Sequence, residues 1–371
     1  MPPRIAYLDW NATAPLRPEA ATAVTEALGR CGNPSSVHRF GREARRALEA
    51  ARAQVASLVN AAPAEIVFTS GGTEANQLAL RGLAGRRVMV SAIEHDSVRQ
   101  AVADAAIIPV TSRGIVDLDA LDRMLADDPR PALVSVMLAN NETGIIQPVA
   151  EAAKIAHARG ALLHCDAVQG AGKLPLDRAL LGADLMTLSA HKLGGPPGIG
   201  ALVVAGELSL VPLQTGGGQE RGRRAGTENL PGIAGFGAAC AAAADRLDDY
   251  RAVGALRDAA ERRLRAIAPD AVVHGGDVAR LPNTLCIAMP GVAAATQVMA
   301  LDLAGVMVSA GAACSSGKVR RSHVLDAMGV PAAEAECAIR ISLGWSTTAA
   351  DIDHVVEAWG ALFARTRASA A

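Results

Sequence analysis

Aromatic side chains are nearly missing from this chain: Phe, Tyr and Trp together make up 2% of 371 residues. Half of the residues are nonetheless apolar. That share is mostly alanine, valine and leucine, which suits closely packed helices and parallel strands. Few rings means no row of stacking platforms for bases, and a formal net charge of −1 gives no field to draw nucleic acid or an anionic membrane. No run is long enough to span a bilayer; the longest nearly apolar stretch, 231–244, is broken by glycine. The opening "MPPRIAYLDWN" reaches Asp9 without an apolar h-region, so no signal peptide is expected. Six cysteines contain no CxxC pair, which argues against a disulfide framework or a zinc cluster; no metal is expected, and a reducing cytoplasm fits best. There is also no GxGxxG and no GK[ST], so neither a dinucleotide fingerprint nor a P-loop is present.

What is there is a regular alternation. "GREARRALEAARAQVASLV" places Ala44, Ala47, Leu48, Ala51, Val55, Leu58 and Val59 on one helical face. Strands are expected at 65–69, 88–92, 107–110, 132–138, 161–165, 185–189 and 200–204. Helices at 72–83, 95–105, 118–126 and 148–159 fall between several of them. Such alternation argues for a mainly parallel sheet covered by helices. After about residue 231 the texture changes. One long alanine-rich helix (233–267) is followed by strands at 271–274, 283–288, 305–309 and 338–343, with helices at 294–303, 321–328 and 350–365. This reads as a smaller α+β domain. At this length a core can form without staples.

In an open parallel sheet, ligands sit beyond the carboxyl ends of the strands, and here those ends are polar. In "TSGGTEAN" (69–76) two glycines turn and Thr73 opens a helix, an arrangement that binds anions, although a plain capped helix start would look the same. "SAIEHDSV" leaves His95 at a strand end, where a cap or core role is the alternative. "LANNETG" holds Asn141 in a turn. "LLHCDAVQG" ends a central strand on Asp166, with Gln169 one turn on; a carboxylate buried there needs a cationic partner. "LSAHKLGGPPGIG" runs a buried strand into Ser189, His191 and Lys192. A lysine at the mouth of a sheet loses hydration and its pKa falls, which makes it a nucleophilic amine.

One cofactor accounts for all five loops. Pyridoxal phosphate offers a phosphate to Gly72, Thr73, Ser189 and His191, and an aldehyde to Lys192. Its ring nitrogen wants a carboxylate (Asp166), its ring face a flat partner (His95), and its phenolic oxygen a donor (Gln169 or Asn141). A direct Lys192–Asp166 salt bridge is the alternative. Further on, "VMVSAGAACSSGKV" sets Cys314 among small residues that cannot pack a core, so an exposed, reactive thiol is expected; Cys165, Cys240, Cys286 and Cys337 lie in apolar elements as core residues. Arg340 on "CAIRISLGW" is able to grip a substrate carboxylate in two parallel bonds, with a surface ion pair as the alternative. The arginines of "GGGQERGRRAGTEN" are too isolated to make an RNA-binding surface.

In this order, "NATAP", "GNPSSVHRFG", "FTSGGTEANQ", "ANNETG", "CDAVQ", "SAHKLGGPPGIGAL", "GGGQERGRRAGT", "GAACSSGK" and "IRISLG" resemble the cysteine desulfurases of the NifS/IscS type, within the class V aminotransferase-type enzymes. The resemblance implies an α/β, type I pyridoxal-phosphate fold. A large domain (12–245) would carry a mainly parallel seven-stranded sheet, and a smaller one (1–11 and 246–371) would carry the Cys314 loop and Arg340. It implies a homodimer with sites near the interface. By resemblance, Lys192 holds the cofactor, Asp166 pairs with its ring nitrogen, Gln169 bonds the phenolic oxygen, and His95 stacks on the ring as acid–base group. Gly72, Thr73, Ser189 and His191 hold the phosphate, joined by Thr227 of the other subunit, while Asn141 and Arg340 take the substrate carboxylate. L-Cysteine would become L-alanine, with the sulfur left on Cys314 as a persulfide. An acceptor or scaffold protein would collect it for iron–sulfur cluster assembly or other sulfur trafficking. The 26-residue gap from Cys314 to Arg340 resembles the long-loop class. Around Cys314, Ala312, Ala313, Ser315 and Ser316 depart from the commoner pattern, as do Ala190 and Pro197 around Lys192. Another type I activity (aminotransferase, kynureninase-like lyase or selenocysteine lyase) and a non-catalytic thiol carrier are the rivals.

Overall fold

The computed structural model describes residues 5–206, 208–311 and 321–370. Seven strands form one sheet: Ile66–Thr69, Gly200–Val204, Leu185–Ser189, Leu162–Asp166, Ala132–Ser135, Arg87–Ser91 and Ala106–Ile108, in that spatial order. Only Gly200–Val204 runs against its neighbours; the other described pairings in the sheet are parallel. Leucine, valine and alanine fill both faces, as expected for strands covered by helices.

Helix Arg39–Leu58 shows how the sequence builds that cover. The His38 side chain caps it by accepting from Gly41 N, and its buried stripe holds Ala44, Leu48, Ala51, Val55 and Leu58. The stripe lies on helix Leu230–Asp245, and Gly237 lets the two touch, since a Cβ there would fall 2.7 Å from Ala51 Cα. That second helix is buried over much of its length and therefore apolar on most sides.

The alanine-rich region read as one helix over 233–267 is two, Leu230–Asp245 and Asp249–Ile267. The break falls at the polar run "DRLDD", where the chain leaves the large sheet's core and enters another. This second core gathers Ala6 and Leu8 with Tyr250, Leu264, Leu285, Ile339 and Trp359. Its sheet is antiparallel, in the order Ser309–Ala310, Ala338–Ser342, Thr284–Ala288, Val272–His274. The strand expected at 305–309 divides: Val306–Met307 pairs in parallel with Ala6–Tyr7, whereas Ser309–Ala310 joins the antiparallel sheet. The helix expected at 95–105 is the single turn Asp96–Arg99. No helix among the described residues is long and apolar enough to cross a membrane.

Candidate functional site

A cavity of about 460 Å³ opens where the carboxyl ends of the large sheet face the second core. It gathers Gly72, Thr73, His95, Asn141, Asp166, Gln169, Ser189, His191, Lys192 and Arg340, ten positions singled out in the sequence.

Lys192 closes a single turn (Ala190–Lys192) that follows the buried strand Leu185–Ser189. Its Nζ donates to the carbonyls of Asn11 (2.6 Å) and Ala12 (2.8 Å). Burial first, then the nearby Arg340 charge, pushes its ammonium down to about 8, against opposite pulls from Asp9 and Asp166. Lys192 and Asp166 therefore share a cavity, but no ion pair between them is found among the described residues.

Asp166 is 6% exposed and accepts from Asn76 Nδ2 (2.8 Å) and Val168 N (3.0 Å). The same Asn76 amide group donates to Ser97 Oγ (2.9 Å), which lies 2.8 Å from His95 Nδ1. His95 Nδ1 also accepts from Ser97 N (3.1 Å), so the neutral ring carries its proton on Nε2. Asp166 is thereby joined to the His95 ring through two side chains.

The anion end is built from glycine. Gly71 caps helix Gly72–Arg81 with φ 157° and ψ 179°, a conformation essentially confined to glycine. Gly72 lies so close to Ser189 and Val168 that a Cβ there would meet Val168 Cγ2 at 3.1 Å. The helix N–H groups thus open toward Ser189 and His191. Burial, with the Lys192 charge beside it, lowers the His191 imidazole to about 4 and keeps the ring neutral.

Arg340 is not a surface residue: it is 4% exposed, on the buried strand Ala338–Ser342. Its Nη2 donates to Asp9 Oδ1 (2.6 Å) and its Nη1 to the Asn141 carbonyl (3.1 Å), while its Nε is buried with no partner among the described residues. Gln169 Nε2 donates to the Asn11 carbonyl (3.0 Å).

Thr227 does not reach this cavity. It is exposed and lines a separate hollow of about 170 Å³ near Ser70 and Arg224. Cys314 lies outside the described residues, but Gly311 and His323 on either side of its segment line the cavity. Two of the three arginines of the glycine-rich loop bond within the chain: Arg224 to Glu74 and Arg221 to the Ala64 carbonyl. Cys165, Cys240, Cys286 and Cys337 are buried, and Cys31 is exposed. Sequence reasoning missed Asp9, Asn11, Asn76 and Glu142. All four sit inside quoted stretches, Asp9 and Asn11 in the opening "MPPRIAYLDWN", and Asn76 and Glu142 one or a few residues from a position named for the site.

The aminotransferase class-V family model matches residues 6–355. The chain is 46% identical over 366 residues to a cysteine desulfurase of Cereibacter sphaeroides, covering 95% of this chain and 94% of that relative. It is 40% identical to the cysteine desulfurase IscS of Dictyoglomus turgidum, over 95% of this chain and 93% of the relative. Among solved structures, a NifS-like protein from Rickettsia africae superposes with a TM-score of 0.90 at 37% identity, covering 97% of this chain and 99% of that one.

Proposed function

The chain belongs to the class-V aminotransferase family, among its cysteine desulfurases, and from that premise we propose that it converts L-cysteine to L-alanine and leaves the sulfur on Cys314 as a persulfide. The substrate C–S bond breaks, an S–S bond to Cys314 forms, and the alanine carbon takes the proton.

The observation that carries this reading is an activated lysine and a buried carboxylate, unpaired with each other, at the ends of adjacent parallel strands. The donor set fits pyridoxal phosphate. A glycine-lined helix end suits its phosphate, an amine its aldehyde, and a carboxylate without a Lys or Arg partner among the described residues its ring nitrogen. When bound, that group supplies an electron-accepting ring which makes the Cα proton of an attached amino acid removable.

This chain's own residues do the rest. Gly72, Thr73, Ser189 and His191 hold the phosphate, with Thr227 contributed by a second subunit; its exposure away from its own cavity supports a homodimer. Asp166, anchored by Asn76 and Val168, keeps the ring nitrogen protonated. Gln169 donates to the phenolic oxygen. Arg340 and Asn141, which both line the cavity, would bind the substrate carboxylate. Lys192 would take the Cα proton at Nζ. His95, which lines the cavity, would meet the ring face and holds its proton on Nε2. We assign residues 12–245 to a large domain and 1–11 with 246–371 to a small one, in line with the two cores. The persulfide is then passed to an acceptor protein in the cytoplasm.

The test is product analysis. The purified protein should be yellow and release alanine from cysteine without any keto acid; Cys314→Ser should stay yellow and lose desulfuration. Alanine formation that requires a keto acid would make it an aminotransferase instead.

A further inference from the structure

Lys173 is 4% exposed and has no part in the steps above. It lies four residues beyond Gln169, on successive turns that follow the Asp166 strand: Lys173 N and Leu174 N both donate to the Gly170 carbonyl. Glycines make this burial feasible. A Cβ at Gly170 would fall 2.3 Å from Leu138 Cδ2, and Gly172 has φ +72° against Ala243. The turn therefore packs flat on the core and points Gln169 and Lys173 the same way.

The Lys173 amine donates to Gln169 Oε1 (2.9 Å) and to Asn11 Oδ1 (3.0 Å). With both amide oxygens taken by the Lys173 N–H donors, each amide must turn its NH2 group elsewhere, so both amides have a fixed direction. Gln169 turns Nε2 to the Asn11 carbonyl, where Lys192 Nζ also docks. Asn11 turns Nδ2 to Thr284 Oγ1 (2.9 Å) and to the Asn141 carbonyl (3.1 Å). Asn283 Nδ2 also donates to Asn11 Oδ1, giving that amide a second guide. Burial, with Lys192 and Arg340 nearby, holds the Lys173 amine well below the usual lysine range.

We propose that Lys173 is a positioning residue for the reaction: by donating at once to Gln169 Oε1 and Asn11 Oδ1, it makes Gln169 present its N–H donors, rather than its oxygen, toward the cavity. This rests on the assignment of Gln169 to the cofactor's phenolic oxygen. A donor to that oxygen stabilises its anionic form and lowers the pH at which the cofactor–Lys192 link loses its proton.

The test is a pH titration of the visible absorbance of the holoenzyme without substrate. Gln169→Leu is expected to raise the midpoint. Lys173→Met is expected to raise it too, by about half a pH unit, roughly threefold in the proton equilibrium. The double variant should match Gln169→Leu alone, because the lysine acts only through that amide. If Gln169→Leu shifts the midpoint and Lys173→Met does not, Lys173 is only a stability residue and the proposal is overturned, even if melting falls. If Gln169→Leu leaves the midpoint unmoved, the assignment of Gln169 fails and the proposal falls with it. Should Lys173→Met not yield folded holoenzyme, Lys173→Gln, which keeps a donor but reaches less far, is titrated against the same two outcomes.

Discussion

Asn76 Nδ2 donates both to Asp166 Oδ2, at 2.8 Å, and to Ser97 Oγ, at 2.9 Å. One amide thus steadies the buried carboxylate and, through Ser97, the face of His95 away from Nε2. Asn76→Leu would leave Asp166 with only the Val168 N–H among its described donors. A hydrogen bond to a charged buried group contributes about 1.5–3 kcal/mol. The variant should therefore hold pyridoxal phosphate roughly tenfold to a hundredfold more weakly, measured by equilibrium dialysis. Unchanged retention would remove Asn76 from the account.

Lys192 sets a pH dependence. Only the neutral amine attacks an aldehyde, and a value of about 8 in place of 10.5 leaves it partly neutral near pH 7.5. The neutral share is then about a quarter, against about one in a thousand for an ordinary lysine. Re-formation of the covalent link by cofactor-free protein, followed by absorbance, should speed up with pH through about 8 and level off above it. Removing the neighbouring cation in Arg340→Met should move that rise to higher pH, because Arg340 helps hold the amine down.

Glu142 bonds one stem of the segment that carries Cys314 and lies against the other. Its Oε2 accepts from Ser322 Oγ at 2.5 Å, and a Cβ on Gly311 would lie 2.8 Å from the same atom. Gly311→Ala should therefore displace the stems and slow single-turnover persulfide formation roughly tenfold, in line with an overpacking cost of about 1–3 kcal/mol. The visible absorbance should be unaffected. Glu142→Asp, which shortens the side chain, should restore much of the rate in the Gly311→Ala background; a wild-type rate in Gly311→Ala alone would contradict this link.

His164 predicts acid lability. Its ring is buried between Ser135 Oγ (2.8 Å) and Thr187 Oγ1 (3.0 Å), and burial lowers it to about 4 from 6.5. The unfolded chain therefore binds the proton more readily than the folded one. The contribution is fully present above about 6.5 and is lost as pH falls toward 4, amounting to about 3 kcal/mol for this histidine. Urea unfolding at pH 7.5 and pH 5 should show about 2 kcal/mol of that loss, the rest falling below pH 5, and His164→Gln should reduce the slope.

Much of this was legible because strand ends in a parallel sheet announce themselves. An apolar run that stops on Asp166 or on Ser189 can only end at the sheet's rim, and the residues beyond it face a ligand. What stayed hidden depends on contacts distant in sequence. Arg340 reads as a lone charge on a strand until Asp9, 331 positions away, is placed against it. Asn11 looks like a turn residue, yet its carbonyl and side chain meet Lys192, Gln169, Lys173 and Thr284. Residues 305–309 divide between two sheets because their partners, Ala6–Tyr7 and Ala338–Ser342, lie near opposite ends of the chain. Periodicity reports which way a residue faces and is silent on which strand lies beside it.

Borohydride reduction of the purified protein, followed by peptide mass spectrometry, tests the central assignment most directly. A single phosphopyridoxyl adduct, on Lys192, is expected. An adduct on Lys173 instead, or a protein that carries none while still desulfurating cysteine, would contradict it.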